Sequence, residues 1–358
     1  MNMITLEYVW IDGENNLRSK VRVVDGSDLD IDNIPDWNFD GSSTCQAKGN
    51  DSEIILKPCA TFNANYDMYG YSDFEYMNHI NDFEYMNHIL VMCETYTPDG
   101  IPCPSNHRVY ADRVFNQALG EEPWFGLEQE YFIIDKKTNK PLGFPLDDND
   151  NAKQGQYYCS VGANNAYGRK IAEEHLLCCI QADIKISGIN AEVAPGQWEF
   201  QIGPCEGVSQ GDHLWMARFL LHKIAEKYNV LIDFHPKPLD GDWNGSGCHA
   251  NYSTKNMRHG TSDKTGLEYI DDAIRKLESK HLEHMEVYGK DNHLRMSGEH
   301  ETSSYHVFSD GVANRGASVR RGHDTIKNKR GYFEDRRPSS NCDPYLVTGK
   351  IFETTILS

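Results

Sequence analysis

The sequence predicts an α+β protein in two parts, a small strand-rich one and a larger mixed one. Three observations carry this. The first hundred residues hold short β-type runs. A Pro- and Gly-rich turn, Thr97–Pro104, then marks a boundary. Beyond it, alternating runs intermix with apolar stripes at helical spacing. A chain of 358 residues is long enough for two domains, one of them large.

The N-terminal runs are Leu6–Ile11, Leu17–Val24, Glu53–Leu56 and Ile89–Cys93, with Asp12-Gly13, Asp25-Gly26 and Asp40-Gly41 as turns between them. A helix start is expected near Ser105. In Phe125–Ile133 the alternation puts Glu128, Glu130 and Phe132 on one face and Leu127, Tyr131 and Ile133 on the other. Glu199 sits in a second alternating run, with Trp198, Phe200 and Ile202 opposite. Pro195-Gly196 reads as a turn, so a hairpin would bring Glu192 beside Glu199. Leu214, Ala217, Leu221, Ile224 and Tyr228 follow helical spacing, as do Leu267, Ile270, Ile274, Leu277 and Leu282. Both stripes read as core-facing.

One repeat interrupts the pattern. Asp73–Asn81 recurs almost unchanged as Asp82–Leu90. Nine residues are too few for a solenoid unit. The expected result is a lengthened surface loop over about residues 63–88, with His79 and His88 as loop residues, not metal ligands.

Composition narrows the function. The 39% hydrophobic and 25% charged content is that of a soluble globular protein. A formal charge of −19 argues against a nucleic-acid partner. No apolar stretch is long enough for a membrane span, and Met1–Tyr8 lacks a basic region before an apolar core. Ten cysteines without a Cys-x-x-Cys pair suit reduced thiols in the cytoplasm.

The chemistry is concentrated in five phrases: Phe125–Tyr131, Asn190–Val193, Gln197–Pro204, Asn244–His249 and Tyr332–Pro338. They contribute Glu128, Glu130, Glu192, Glu199, Glu334 and His249. A lone Glu-x-Glu is ordinarily a solvated strand face. Here each carboxylate has apolar or glycine neighbours, where an ionised group needs compensation. Carboxylates with one imidazole suit hard divalent metals, Mg²⁺ or Mn²⁺, and such a cage serves ATP-dependent phosphoryl transfer. Neither a Gly-x-x-x-x-Gly-Lys loop nor a Gly-x-Gly-x-x-Gly turn is present. Metals and arginines must then hold the phosphates. The glycine-rich C-terminal third supplies Arg295, Arg315, Arg320, Arg321, Arg336 and Arg337, residues that are more often simply surface cations.

These phrases, with Trp37–Thr44, Trp243–His249, Gly311–Arg320 and Gly331–Pro344, closely resemble the signatures of glutamine synthetase, the eukaryotic-type (type II) family, in family order from about Tyr8 to Leu357. The resemblance implies a small N-terminal β-grasp-like domain, residues 1–104, and a larger catalytic domain, residues 105–358, whose curved antiparallel sheet is backed by helices. It implies a homo-oligomer, two stacked pentameric rings with active sites between subunits. The implied reaction joins ammonia to L-glutamate using ATP through a γ-glutamyl phosphate.

By the same resemblance, Glu130, Glu192 and Glu199 hold the metal nearest glutamate, and Glu128, His249 and Glu334 the metal nearest the nucleotide, with two or three ions per site. Arg320 and Arg336 steady the moving phosphoryl group. Trp243, Asn244, Gly245, Arg295, Arg315 and Arg336 position glutamate. Pro204, Asn251, Ser253 and Tyr332 join Glu128, Glu199, Arg315 and Arg320 around the nucleotide and its phosphates. Asp40 resembles the acidic residue that binds ammonium and takes its proton. Glu301 resembles the flap glutamate that shields the intermediate from water.

Departures from the family pattern lie elsewhere. The chain begins almost at its first strand, stops soon after Glu353–Leu357, and carries the repeat where the family has a short Arg-containing segment. They bear on ring packing, not on the ligand set. Two competing readings stand beside this one. A ligase of the same fold using another amine is disfavoured by Asp40 and the glutamate-site arginines. A non-catalytic homologue has no need of six ligands.

Overall fold

The computed structural model describes residues 3–27, 29–30, 33–64, 88–145 and 154–358. Most of the expected insertion, His79 included, lies outside the described residues.

Five strands open the chain: β1 (Met3–Ile11), β2 (Leu17–Asp25), β3 (Trp37–Asp40), β4 (Glu53–Ala64) and β5 (His88–Tyr96). They form one sheet in the order β2-β1-β5-β4-β3, with β1 and β5 parallel at its centre. Period-2 alternation gives this sheet two apolar faces. Leu6, Tyr8, Trp10, Leu56 and Val91 pack with Ile34, Trp37 and Phe39. Val9, Ile11, Phe62, Leu90 and Met92 face the other way, into the main core shared with the rest of the chain. The second copy of the repeat therefore ends inside β5. His88 is buried between Thr5 (2.8 Å) and Glu7 (3.1 Å), and Leu90 has no exposed surface. Leu90 falls in the strand expected over Ile89–Cys93; the loop reading fails at His88, because β5 starts one residue earlier, and at Asn63 and Ala64, where β4 continues.

The larger part comprises α1 (His107–Phe115), β6 (Trp124–Asp135), β7 (Lys140–Pro141), α2 (Arg169–Gln181), β8 (Ile186–Ala191), β9 (Gln197–Glu206), α3 (Ser209–Tyr228), β10 (Val230–Asp233), β11 (Cys248–Ser253), α4 (Lys255–His259), α5 (Gly266–Ser279), α6 (His281–Val287), β12 (Asp310–Val312), β13 (Val319–Arg321), α7 (His323–Asn328), β14 (Phe333–Asp335) and α8 (Pro344–Phe352). Its sheet runs β12-β13-β14-β11-β6-β9-β8, with β7 and β10 also on β6. Every pairing in it is antiparallel except β12 with β13.

The helices cover one face of this sheet. Leu214, Leu221 and Ile224 of α3 meet Leu127, Tyr131, Phe200 and Ile202 in a single core. That leaves the opposite face, which carries the glutamates, open for chemistry. The helix expected through Leu282 instead breaks at Lys280, and Leu282 is exposed. Past the break, His281 and His284 turn inward to polar partners: the Tyr305 carbonyl, Tyr288 and Thr354. Among the described residues, no helix is long and apolar enough to cross a membrane.

Candidate active site

Strand register assembles the site. Glu130 of β6 lies directly opposite Glu199 of β9, and Asn190 of β8 opposite Glu199 on its other side. The Ala194–Gln197 turn then returns the chain so that Glu192 reaches the same face. On the other flank of β6, His249 of β11 pairs with Glu128, and Asn251 with Glu334 of β14. Two groups result, Glu130–Glu192–Glu199 and Glu128–His249–Glu334, each with one donor atom per residue, those atoms all within 4.8 Å of one another. A divalent ion at ~2.0–2.6 Å from oxygen donors fits between atoms so spaced.

The carboxylates are held rigidly. Glu130 Oε2 accepts from the Gly247 amide at 2.7 Å, and the Glu130 amide donates to the Gly247 carbonyl at 3.0 Å. A Cβ at Gly247 would stand 2.6 Å from Arg295 Nη2 and 2.9 Å from His249 Nε2, so a side chain there would displace both groups from the cage. Asn190 donates to Glu192 at 3.0 Å, and Gln201 bridges Asn190 and Glu199.

The first group is short of positive charge. Burial, only partly offset by Arg295, raises Glu130 to about 7. Burial and the Glu130 charge raise Glu192 to about 8. Burial and the charges of Glu128, Glu130 and Glu192 raise Glu199 to about 9. In the second group, burial pushes the His249 imidazole well below its ordinary value, aided by Arg336. It is therefore neutral, as a metal ligand must be. Glu334 contacts Arg320 (2.5 Å) and Arg336 (2.6 Å). Carboxylates that would otherwise keep their protons, beside a neutral imidazole and with no sulfur donor, fit a hard divalent cation.

The cage encloses about 110 Å³ and is lined by all six candidate ligands together with Asn244, Gly245, Arg295, Glu301, Arg315, Arg320 and Arg336. A second, largely apolar cavity of about 540 Å³ adjoins it at Glu128. Pro204, Asn251, Ser253 and Tyr332 line that one, whereas Glu199, Arg315 and Arg320 line the cage.

Trp243 and the pair Arg321 and Arg337 place differently from expectation, while Asp40 belongs to a site expected between subunits. Asp40 lines neither cavity; at the end of β3 it caps the Gly41–Thr44 turn through the Ser42 amide and hydroxyl, which hold its carboxyl below the usual range. Trp243 turns from the cage to pack on Phe144, 5.4 Å between ring centres, because a large indole gains more from burial than from the polar site. Arg321 and Arg337 leave the phosphate-facing set. Arg321 pairs with Asp271 and Asp310. Arg337 is fully buried against Asp335 at 2.6 Å, on the opposite side of β14 from Glu334.

Other residues were missed. Asn190 and Gln201 lie two positions from Glu192 and Glu199, so strand alternation carried that signal. Tyr158 and His300 line the cage from loops with no local signature. Arg258 stacks 3.9 Å from the Trp124 ring at the apolar cavity, a meeting of distant segments.

The profile of the glutamine synthetase catalytic domain matches residues 107–356. The glutamine synthetase cytosolic isozyme of Daucus carota is 51% identical over 353 residues, covering 98% of this chain and 94% of that protein. The glutamine synthetase of Agaricus bisporus is 51% identical over 354 residues, covering 99% and 94%. A cytosolic isozyme of Arabidopsis thaliana is 51% identical over 357 residues, covering 99% and 95%. The family signatures, the two ligand groups on one sheet face and this similarity along nearly the whole chain agree: the chain belongs to the glutamine synthetase family.

Proposed function

We infer that this chain is a glutamate–ammonia ligase: it uses ATP to join ammonia to the side-chain carboxylate of L-glutamate, forming L-glutamine, ADP and phosphate. The observation that carries the reading is the pair of three-residue ligand groups on one open sheet face, ringed by Arg295, Arg315, Arg320 and Arg336.

Glu130, Glu192 and Glu199 would hold one divalent cation, and Glu128, His249 and Glu334 another, Mg²⁺ or Mn²⁺; such ions neutralise phosphate oxygens as the phosphoryl group moves. The apolar cavity beside Glu128 suits the nucleoside, with Pro204, Asn251, Ser253 and Tyr332 as contacts. Arg320 and Arg336 flank Glu334 and suit the phosphoryl group in transit. Asn244, Gly245, Arg295 and Arg315 suit the glutamate, with Trp243 bracing their turn from behind. The glutamate side-chain oxygen attacks the γ-phosphorus, ADP leaves, and ammonia then displaces phosphate from the acyl phosphate.

Asp40 lines neither cavity of its own chain. Its role toward ammonium therefore requires a second copy, whose small domain (residues 1–104) would meet this catalytic domain (residues 105–358). That arrangement would be a homo-oligomer with sites between subunits, of which two stacked pentamers is the family-based form. The cytosolic relatives support a cytoplasmic setting.

The test is direct. Purified protein with ATP, glutamate, ammonium and Mg²⁺ or Mn²⁺ should form one glutamine per ADP, and omission of any component should abolish it. Glutamate-dependent ATP hydrolysis indifferent to ammonium, or preference for a polyamine, would defeat the reading.

A further inference from the structure

The segment Gly298–Thr302 crosses the mouth of the cage under unusual backbone strain. His300 (φ 53°) and Glu301 (φ 61°) are consecutive non-glycine residues in the left-handed region. Such a conformation persists only where surrounding contacts over-determine it. Here the contacts form a defined chain. The Asn244 amide donates to Gln154 Oε1 at 2.8 Å. Gln154 Nε2 contacts His300 Nδ1 at 3.0 Å. His300 Nε2 lies 3.1 Å from Asp242 Oδ1.

The Asn244 backbone amide orders the donors and acceptors. A backbone amide can only donate, so the Gln154 oxygen faces Asn244. Its amide nitrogen then donates to His300 Nδ1, leaving the His300 proton on Nε2, aimed at Asp242. One imidazole thus ties the flap to both ends of the 242–244 turn. Gln154 is anchored in turn, since the next amide, Gly155, donates to the Val193 carbonyl at 2.8 Å, beside Glu192. The Asp242 side chain is 95% exposed, so water competes for that arm and the Gln154 arm is the stronger.

What the latch holds in place is Glu301. Its carboxylate is 3.6 Å from Arg315 Nη1, and its carbonyl accepts from Arg336 Nη2 at 3.3 Å. Both arginines line the cage. We propose that His300 is a positioning residue that latches the flap onto the Asn244–Gly245 turn through Gln154, so that Glu301 covers the cage when the glutamate-holding turn is in place. This rests on the ligase reading above. Its consequence is chemical partition. If the flap is loose, water attacks the γ-carbonyl carbon of the acyl phosphate, the carbon–oxygen bond to phosphate breaks, and glutamate, phosphate and a proton are released. ATP is then consumed without glutamine.

The experiment compares glutamine formed per ADP in the full-length enzyme and in His300→Ala, Gln154→Ala and His300→Gln. In the first two, the ratio should fall severalfold, ammonia-independent ADP release should rise, and the KM for glutamate should rise with it. His300→Gln retains an acceptor and a donor and should recover part of the coupling. Hydrogen exchange should show lost protection at 298–302 in both alanine variants. A ratio, a glutamate KM and an exchange pattern all unchanged in Gln154→Ala would overturn the proposal, and that variant decides the matter should His300→Ala fail to fold. If the unmutated enzyme makes no glutamine, the ligase reading fails; the exchange measurement still tests the latch itself.

Discussion

Glu199→Gln should change how many protons leave the protein when a divalent metal binds. Burial and mutual repulsion set Glu130 to about 7, Glu192 to about 8 and Glu199 to about 9. At pH 7, stripped of metal, the group therefore carries roughly two protons, and a cation must displace them. Glu199 is 8% exposed. Burial and the neighbouring carboxylates thus hold it strongly against its charged form. The three groups share one repulsion, so their costs do not add.

Two protons released means that Mn²⁺ affinity rises on the order of a hundredfold per pH unit near pH 7, flattening above about 9. Calorimetric titration of Mn²⁺ in two buffers of different ionisation enthalpy gives the proton count directly. Glu199→Gln should release about one proton fewer and bind more weakly. The folding linkage has the opposite sign in metal-stripped protein. The folded form holds protons that the unfolded chain has lost, so stability should fall as pH rises from near 4.5 toward 9. Metal binding without proton release, at an affinity flat from pH 6 to 9, would refute this account of the cage.

Asp40→Ala should raise the KM for ammonium and lower turnover while leaving the affinity for ATP and glutamate nearly unchanged; collapse of ATP binding with normal ammonium dependence would make Asp40 only the cap of its turn. Leu90→Asn, which gives the second repeat copy the ending of the first, should cost ~3–5 kcal/mol in denaturant unfolding, since Leu90 is fully buried. Arg337→Met leaves Asp335 buried without its guanidinium and should cost ~3–5 kcal/mol, a loss measured as a lowered urea midpoint.

How much of this was legible in the sequence depends on the range of the interaction involved. Alternation alone placed Leu127, Tyr131, Trp198 and Phe200 in the core and Glu128, Glu130 and Glu199 on the far face, because period 2 is a property of the strand itself. Past the end of β14, Arg336 faces the cage with Glu334 while Arg337 is buried with Asp335, so adjacent arginines that invited one role take two. Register lies beyond any such rule. That Glu130 meets Glu199 depends on the β6–β9 ladder absorbing an irregularity between Phe125 and Leu127. A one-residue slip would turn the ligand set away from its partners. The repeat shows the limit most clearly. The strand expected over Ile89–Cys93 already separates the second copy, which ends in Leu90, from the first, which ends in Asn81; what the pattern does not show is His88, buried between Thr5 and Glu7. Gln154, Asn244 and His300 meet across segments with no shared period, so their connection is a product of tertiary structure. Local pattern thus specifies which side chains can serve the cage, whereas long-range packing decides which of them do.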